Sequence, residues 1–508
     1  MKRTRILPAG AAVVAASLLL SGCGGTGADT ASDTLNIATM TVPSSLDPVD
    51  ATGSALPYFQ AVYDTLIKRA PDGSYEPMLA TEWSYNDDRT VLSLTLRDDV
   101  AFADGTALDA DAVTANLLRF RDGGGTDSAN LAGVTDVTAV DATHVDIVMD
   151  APNPGLEFYL SDSAGLMANP AGFEDEDALK TTPDGTGPYR LDADGTVIGT
   201  KWVFDKNDEY WDSELPFDTV TISAFDNENA IVNGLKTGQI DTALLQSVDQ
   251  QIAAEADTAL TSTPTSFDFQ GLFLFDRDGA VTPELGDVRV RQAINYALDR
   301  QTMLDQIMQG RGAVTSQVFG VNAPGYEESL DEAYPHDPAK AKELLAEAGY
   351  ADGISLTLPR MAAIVSDPLA SAIQTSLAEA GIELTWEDLD QATALQRIFS
   401  DREFSGTVLN IGQSSNDWIV IQSLILPGTF NMFGSTDPEV QSLVESIRSA
   451  SADDAVTDVR ALNEHIVEEA WFAPFYRVEH QLVTDAGVTA EPQSGLAVPS
   501  IYNYAPAK

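Results

Sequence analysis

Two hydrophobic periods alternate along this chain without settling into a repeat. Short runs such as Leu35-Asn36-Ile37-Ala38 and Val91-Leu92-Ser93-Leu94-Thr95-Leu96 switch between apolar and polar at every residue, the period of a strand with one buried face. Val137 to Val140, Val145 to Val148, Thr242 to Leu245 and Ile354 to Pro359 read as further strands. Between them lie helical spacings. From Asp109 to Phe120, Val113, Leu117 and Phe120 fall on one face, with Asp109 or Asp111 near the N-cap. Asn229 to Thr237 is predicted helical and closed by Gly238. Pro338 to Ala348 starts with Pro in the first turn, turns Leu344 and Leu345 inward and stops at Gly349. Leu369 to Ala380 repeats that logic and stops at Gly381. Strands and helices alternating this irregularly indicate a large α/β protein, not an all-parallel nucleotide-binding domain.

The first residues follow neither period. Lys2, Arg3 and Arg5 precede an apolar, alanine-rich stretch from Ile6 to Leu20, which reads as an export signal over residues 1–22 rather than a spanning helix. It ends in Leu20-Ser21-Gly22-Cys23, which resembles the lipobox of bacterial lipoproteins. That resemblance implies lipidation of Cys23 as the first residue of the mature chain. Gly24 to Asp33 is small and polar, so residues 23–33 are expected to form a flexible tether. Cys23 is the only cysteine, so the folded body uses neither disulfides nor thiolate chemistry. No later stretch is apolar for long enough to span a bilayer.

Charge narrows the partners. The 78 acidic residues against 28 basic ones give a formal net charge of −50, a field that repels phosphate backbones and argues against nucleic acid. The acids are scattered over loops and helix faces, which suits solubility better than a ligand patch.

Several segments in order resemble the extracytoplasmic solute-binding proteins of peptide ABC transporters (family 5, the dipeptide- and oligopeptide-binding type). They are Ser45-Leu46-Asp47-Pro48; Val62-Tyr63-Asp64-Thr65-Leu66; Leu79 to Trp83; Phe102 to Thr106; Gly185-Thr186-Gly187-Pro188-Tyr189; Asn207 to Trp211; Asp287 to Arg300; and Asp337 to Ala341. Physically, Asp104-Gly105-Thr106 is a turn, Gly187-Pro188 a rigid entry into strand Tyr189-Arg190-Leu191, and Asp287 to Arg300 a helix. Val288, Ala293, Ile294, Tyr296 and Ala297 supply its buried face, while Arg289, Arg291 and Arg300 can pair with acids.

The resemblance implies an α/β, two-lobed fold of the class II periplasmic-binding-protein type with an inserted third subdomain. Residues 34–77, 187–266 and 483–508 would form lobe one, 78–186 the inserted subdomain and 267–482 lobe two. The crossings are expected near Phe267 to Phe269 and Arg477 to Leu482. Ligand would bind between the lobes, which close over it.

A peptide in a dry cleft needs partners for both its carboxylate and its ammonium. By resemblance, Arg360 takes the carboxylate, a role its planar fork suits. The family's Gly-Trp-x-x-Asp stretch for the ammonium reads Gly412-Gln413-Ser414-Ser415-Asn416-Asp417-Trp418 here. Gln413 replaces the tryptophan and Asn416 the aspartate, so either Asp417 takes over or the ligand lacks a free α-amino group. Ser44, Ser45 and Leu46 are expected on one wall, and Trp418, Asn431, Met432 and Phe433 on the other.

No catalytic pattern appears. The histidines, His144, His336, His465 and His480, have no metal-ligand spacing. Asp192-Ala193-Asp194-Gly195 is half a calcium loop without its distal glutamate, and Glu174 to Asp177 reads as a solvated acid run. There is neither a phosphate-binding glycine loop nor a nucleophile elbow. The expectation is a monomeric, lipid-anchored, cofactor-free receptor outside the cytoplasm. It would capture a small peptide or related solute and deliver it to an ABC permease driven by a separate ATPase. The alternatives are the same scaffold with a sugar, blocked peptide or metal chelate, or a secreted hydrolase or adhesin.

Overall fold

The first alternating run becomes the strand Thr34–Thr39, the middle of a seven-stranded sheet. The computed structural model describes residues 33–175, 177–212, 214–495 and 499–508. The export signal, Cys23 and all of the tether but Asp33 therefore lie outside the described residues.

In that sheet Thr34–Thr39 pairs in parallel with Thr219–Ala224 on one side and Thr242–Leu245 on the other. The remaining neighbours are antiparallel: Lys201–Lys206 and Tyr189–Leu191 on one flank, His480–Thr484 and Thr261–Thr265 on the other. Leu35, Trp202, Phe204, Val220 and Ile222 point from it into one core with Tyr58, Phe59 and Tyr63. Helix Glu228–Thr237 packs on the sheet through Ile231, Val232 and Leu235 and ends, as its glycine predicts, at a left-handed Gly238.

A second sheet, of four antiparallel strands, is built from Ala80–Tyr85, Val91–Leu96, His144–Met149 and Val134–Ala139. Helix Ala110–Asp122 covers it with Val113, Leu117 and Phe120, and Asp109 caps the helix by accepting from the Ala112 N–H at 2.9 Å.

The third sheet orders Gly312–Val314, Phe472–Val478, Asp268–Leu274 and Gly406–Gly412. Beside it the parallel pair Ile354–Arg360 and Ile382–Asp388 is joined by helix Asp367–Glu379, the crossover that parallel strands require. Leu356, Leu358, Ile373, Leu377 and Ile382 form its core.

The chain passes from the first sheet to the third after Thr265 and returns after Val478. Phe267 stacks on His480 there with ring centroids 4.3 Å apart, and His480 Nε2 lies 2.8 Å from Asp268 Oδ1.

One expected element differs. Asp287 to Arg300 is not one helix: Val288–Ala297 ends, and Asp299 caps a new helix, Arg300–Ile307, by accepting from Thr302 N–H. Asp299 competes for the backbone and so favours a cap over a helix interior. Val290 is buried in place of the half-buried Val288. Arg289 pairs with Asp287 and Arg291 with Glu469, but Arg300 does not find an acid. Its guanidinium donates to the carbonyls of Pro474, Asn295 and Tyr334 and to Asn295 Oδ1, and burial pushes its pKa down to about 10.

Candidate functional site

Where the first and third sheets' territories meet, a short hairpin supplies the contact. Ile67–Arg69 pairs with Tyr75–Pro77, and Arg69 lies directly opposite Tyr75, so both side chains share a face. Asp72 shapes the turn by accepting from the Ser74 N–H, and Gly73 takes a φ of 92°. A Cβ on Gly73 would lie 2.8 Å from Ser415 Oγ, so glycine also allows the segment around Ser415 to approach.

That segment runs along the seam. Asn416 Nδ2–H donates to Tyr75 Oη at 3.1 Å. Farther along, Tyr159 O–H from the helix Leu156–Leu160 donates to Gln422 Oε1 at 2.6 Å. Trp418 packs over Gly155, where a Cβ would come within 3.1 Å of its Cδ1. Residues 413–422 thus close against the hairpin and against the inserted antiparallel unit at once.

The seam is electrostatically unusual. Arg69 is buried, its side chain 3% exposed, and its Nη2 pairs with Asp162 Oδ2 at 2.6 Å. The guanidinium carbon sits 4.2 Å above the Phe158 ring. Nε and Nη1 are buried without a hydrogen-bond partner. Around it, burial raises the carboxyls of Glu157 and Asp127 even though Trp83 and Ser163 donate to them. Loss of water pushes the Tyr75 phenol up to about 12.

The sequence-predicted residues divide. Asn416 and Trp418 reach the seam, Asn416 also capping helix Asp417–Val420 through the Trp418 N–H at 2.9 Å. Asp417 turns inward: it accepts from Gly325 N–H at 3.0 Å, and burial pushes its carboxyl up to about 6. Gln413 is buried with Nε2 on the Val318 carbonyl. Arg360, expected to present its fork to a ligand, instead donates to Asp367, Asp388 and the Val365 carbonyl, because strand Ile382–Asp388 lies beside its own in register. Asn431, expected on the cleft wall, is 1% exposed and ties Arg277, the Ile425 carbonyl and Ser435 together as an internal hub. Met432 is buried and Phe433 half-buried against the same second-lobe core. Ser45 accepts from the Asp47 N–H and donates to Asp50, and Leu46 is core.

Arg69, Tyr75, Phe158, Tyr159 and Gln422 were not legible as site residues. The one available signal was the turn Pro71-Asp72-Gly73-Ser74, which marks a hairpin but not what it faces. An open cavity of about 740 Å³ lies elsewhere, lined only by residues between Gln301 and Glu332, and touches none of the seam. Among the described residues no cluster of three or more metal-ligating side chains occurs, and no helix is long and apolar enough to cross a membrane.

Sheets exchanged at two crossings, an inserted antiparallel unit and a seam between them define the two-lobed α/β fold of periplasmic binding proteins. Residues 74–425 match the model of the bacterial extracellular solute-binding proteins, family 5. The chain belongs to that family, whose members bind solutes and are not enzymes. The glutathione-binding protein GsiB of Salmonella paratyphi A is 30% identical over 325 residues, 62% of this chain and 61% of that protein. The nickel-binding periplasmic protein of Escherichia coli K12 is 28% identical over 300 residues, 57% of this chain and 56% of that one. The alignments thus span about three-fifths of these relatives' length. HbpA2 of Haemophilus parasuis superposes with a TM-score of 0.81 at 21% identity, covering 94% of this chain and 100% of its own. The unliganded murein tripeptide-binding protein MppA does so with 0.79 at 21%, covering 94% and 98%. At these identities the likeness concerns the fold alone.

Proposed function

We propose that this protein is the substrate-binding component of an ABC importer. It captures a small peptide or related solute between its lobes and delivers it to a permease powered by a separate ATPase. The observation that carries the reading is the seam: two cross-lobe hydrogen bonds, Asn416 to Tyr75 and Tyr159 to Gln422, flank a buried arginine and the Phe158 ring. Polar pairs of this kind can break and re-form as lobes hinge, which a continuous apolar interface would resist. Asn416 and Trp418 are the second lobe's contribution to closure in this reading. Lipidation at Cys23 would hold the monomer at the outer face of the cell membrane, and residues 23–33 would let the lobes move.

A non-peptide solute is the second reading, favoured by Asn416: it supplies no negative charge for an α-ammonium and is engaged with Tyr75. Both readings are tested by thermal shift with di- to pentapeptides, a sugar panel and metal chelates. Stabilisation by peptides alone supports the first. Stabilisation by sugars or chelates alone replaces it with the second, and no response to any solute removes the receptor role.

A further inference from the structure

Basic side chains are scarce in this chain, 28 against 78 acids, and an arginine buried at the seam with idle donors needs a reason. Arg69 offers a full positive charge at 3% exposure, yet only one of its nitrogens is bonded, to Asp162. Nε and Nη1 remain unpartnered. Leaving such donors buried is unfavourable unless another group takes them, since a charged donor's lost hydration has to be replaced. Arg300, equally buried, directs all three nitrogens to carbonyl and amide oxygens, whereas Arg277 leaves Nε and Nη2 unpartnered inside the second-lobe core against the Trp471 and Phe472 rings, so it is the place of Arg69 at the seam that sets it apart.

The position of Arg69 says where the missing acceptor comes from. It stands opposite Tyr75, whose oxygen receives Asn416 from the other lobe. It lies over Phe158, whose neighbour Tyr159 bonds Gln422 of the other lobe. The guanidinium therefore sits between the two clasps. Asp162 already balances part of its charge, and Glu157 and Asp127, both raised by burial, stand nearby. A purely anionic solute would meet net repulsion there. A solute carrying an ammonium as well would not.

We propose that Arg69 is the carboxylate-binding group of the cleft and that the solute is a zwitterion of the amino-acid or short-peptide type. Its carboxylate takes the free guanidinium donors on the first-lobe hairpin, while its ammonium faces the half-buried carboxyls of Glu157 and Asp127. This rests on the solute-receptor reading and moves charge recognition from Arg360 to the opposite lobe. Nε and Nη1 lie on different edges of the guanidinium, so one carboxylate oxygen and a second ligand oxygen, such as a peptide carbonyl, can be held together.

The test uses the full chain incubated with a tryptic peptone digest, washed, and denatured to release bound solute for mass spectrometry. The wild type should release solutes that carry a free carboxylate. Methyl esterification of the digest should reduce retention at least tenfold, the loss expected when a charge-assisted bond is removed. Arg69→Gln should show the same loss on the untreated digest, with Arg69→Lys intermediate; near-ultraviolet circular dichroism reports whether each variant is folded. Equal retention of esterified and free digest overturns the Arg69 assignment while leaving the receptor reading in place, and needs no variant to fold. Folded Arg69→Gln retaining as much as wild type overturns it too. Release of nothing by the wild type overturns the zwitterion assignment and the peptide reading together, whereas a thermal shift with a sugar or chelate in that case keeps the receptor role.

Discussion

Asn416 and Tyr75, 341 positions apart in the chain, are joined by one hydrogen bond of 3.1 Å across the seam. The same amide caps helix Asp417–Val420 with its oxygen, so its orientation is fixed before the lobes meet. A group held by its own lobe and offered to the other loses little rotamer freedom on closing.

Removing the phenol isolates the clasp from the cap. Tyr75→Phe keeps the ring and the helix cap but leaves Asn416 Nδ2 without its partner. A neutral hydrogen bond contributes about 1 kcal/mol net, so apparent affinity for the retained solute should fall about fivefold. Titration calorimetry checks the affinity, and small-angle scattering should show a larger radius of gyration without solute. An unchanged affinity would mean that the bond does not contribute to closure.

The carboxyl of Asp64 is wholly buried and accepts from Tyr210 Oη at 2.8 Å, Trp211 Nε1 at 2.9 Å and Tyr502 Oη at 2.9 Å. Burial outweighs these bonds and raises its pKa to about 6. The folded state therefore binds the proton more tightly than the unfolded chain, whose Asp titrates near 3.9. The stabilisation is fully present below that lower value and is lost as pH rises through about 6. Relative to Asp64→Asn, which does not titrate, the wild type should gain up to about 3 kcal/mol between pH 7.5 and pH 4. Urea midpoints of both proteins at the two pH values give the comparison, and the effect of overall acidity cancels in the difference. A constant gap would show that Asp64 keeps an ordinary pKa.

Gly187 shows why one quoted motif cannot vary freely. Its N–H donates to the Val62 carbonyl at 2.8 Å, and an added Cβ would lie 2.3 Å from the Val62 carbonyl carbon. The obstacle is backbone, which cannot swing aside as a side chain can. Gly187→Ala should destabilise at the upper end of the ~1–3 kcal/mol typical of overpacking. A denaturant midpoint within error of wild type would show that the strand entering at Tyr189 can shift.

Local structure was legible because local rules decide it. Asp109 caps its helix as the sequence reading expects, and Gly238, Gly349 and Gly381, expected as helix stops, take positive φ. The break at Leu298-Asp299 was hidden because Ala293, Ile294 and Ala297 maintain helical spacing right up to it. Of the candidate site, Asn416 was visible through its family position. Arg69 was not, since nothing in Ile67-Lys68-Arg69 distinguishes an exposed arginine from one folded over Phe158, a residue 89 positions later. The ion pair of Arg360 was hidden for a related reason: Asp388, its partner, comes from the adjacent parallel strand, and register is a tertiary outcome.

A second, half-buried carboxylate should respond to pH in the opposite sense. Asp331 accepts from Arg477 at 2.7 and 2.9 Å and also from Thr315, Gln317 and Tyr326. Burial acts to raise its pKa, but these bonds and the Arg477 charge more than offset that and hold it below the usual carboxylate range. Its contribution is therefore present above the unfolded pKa and is lost as pH falls through the lower folded value. Asp331→Asn would leave the Arg477 guanidinium, 3% exposed, without its counter-charge, which costs about 3–5 kcal/mol for a broken buried pair. That loss should be complete at pH 7 and shrink below about pH 4, where Asp331 of the unfolded chain protonates, until it vanishes below the lower folded value. Arg477 is one residue from the end of the strand where the chain returns to the first sheet, so the variant should also change the lobes' closure rate, readable by stopped-flow tryptophan fluorescence on adding solute. A destabilisation that does not diminish in acid would mean that the pair stabilises through packing and not through charge.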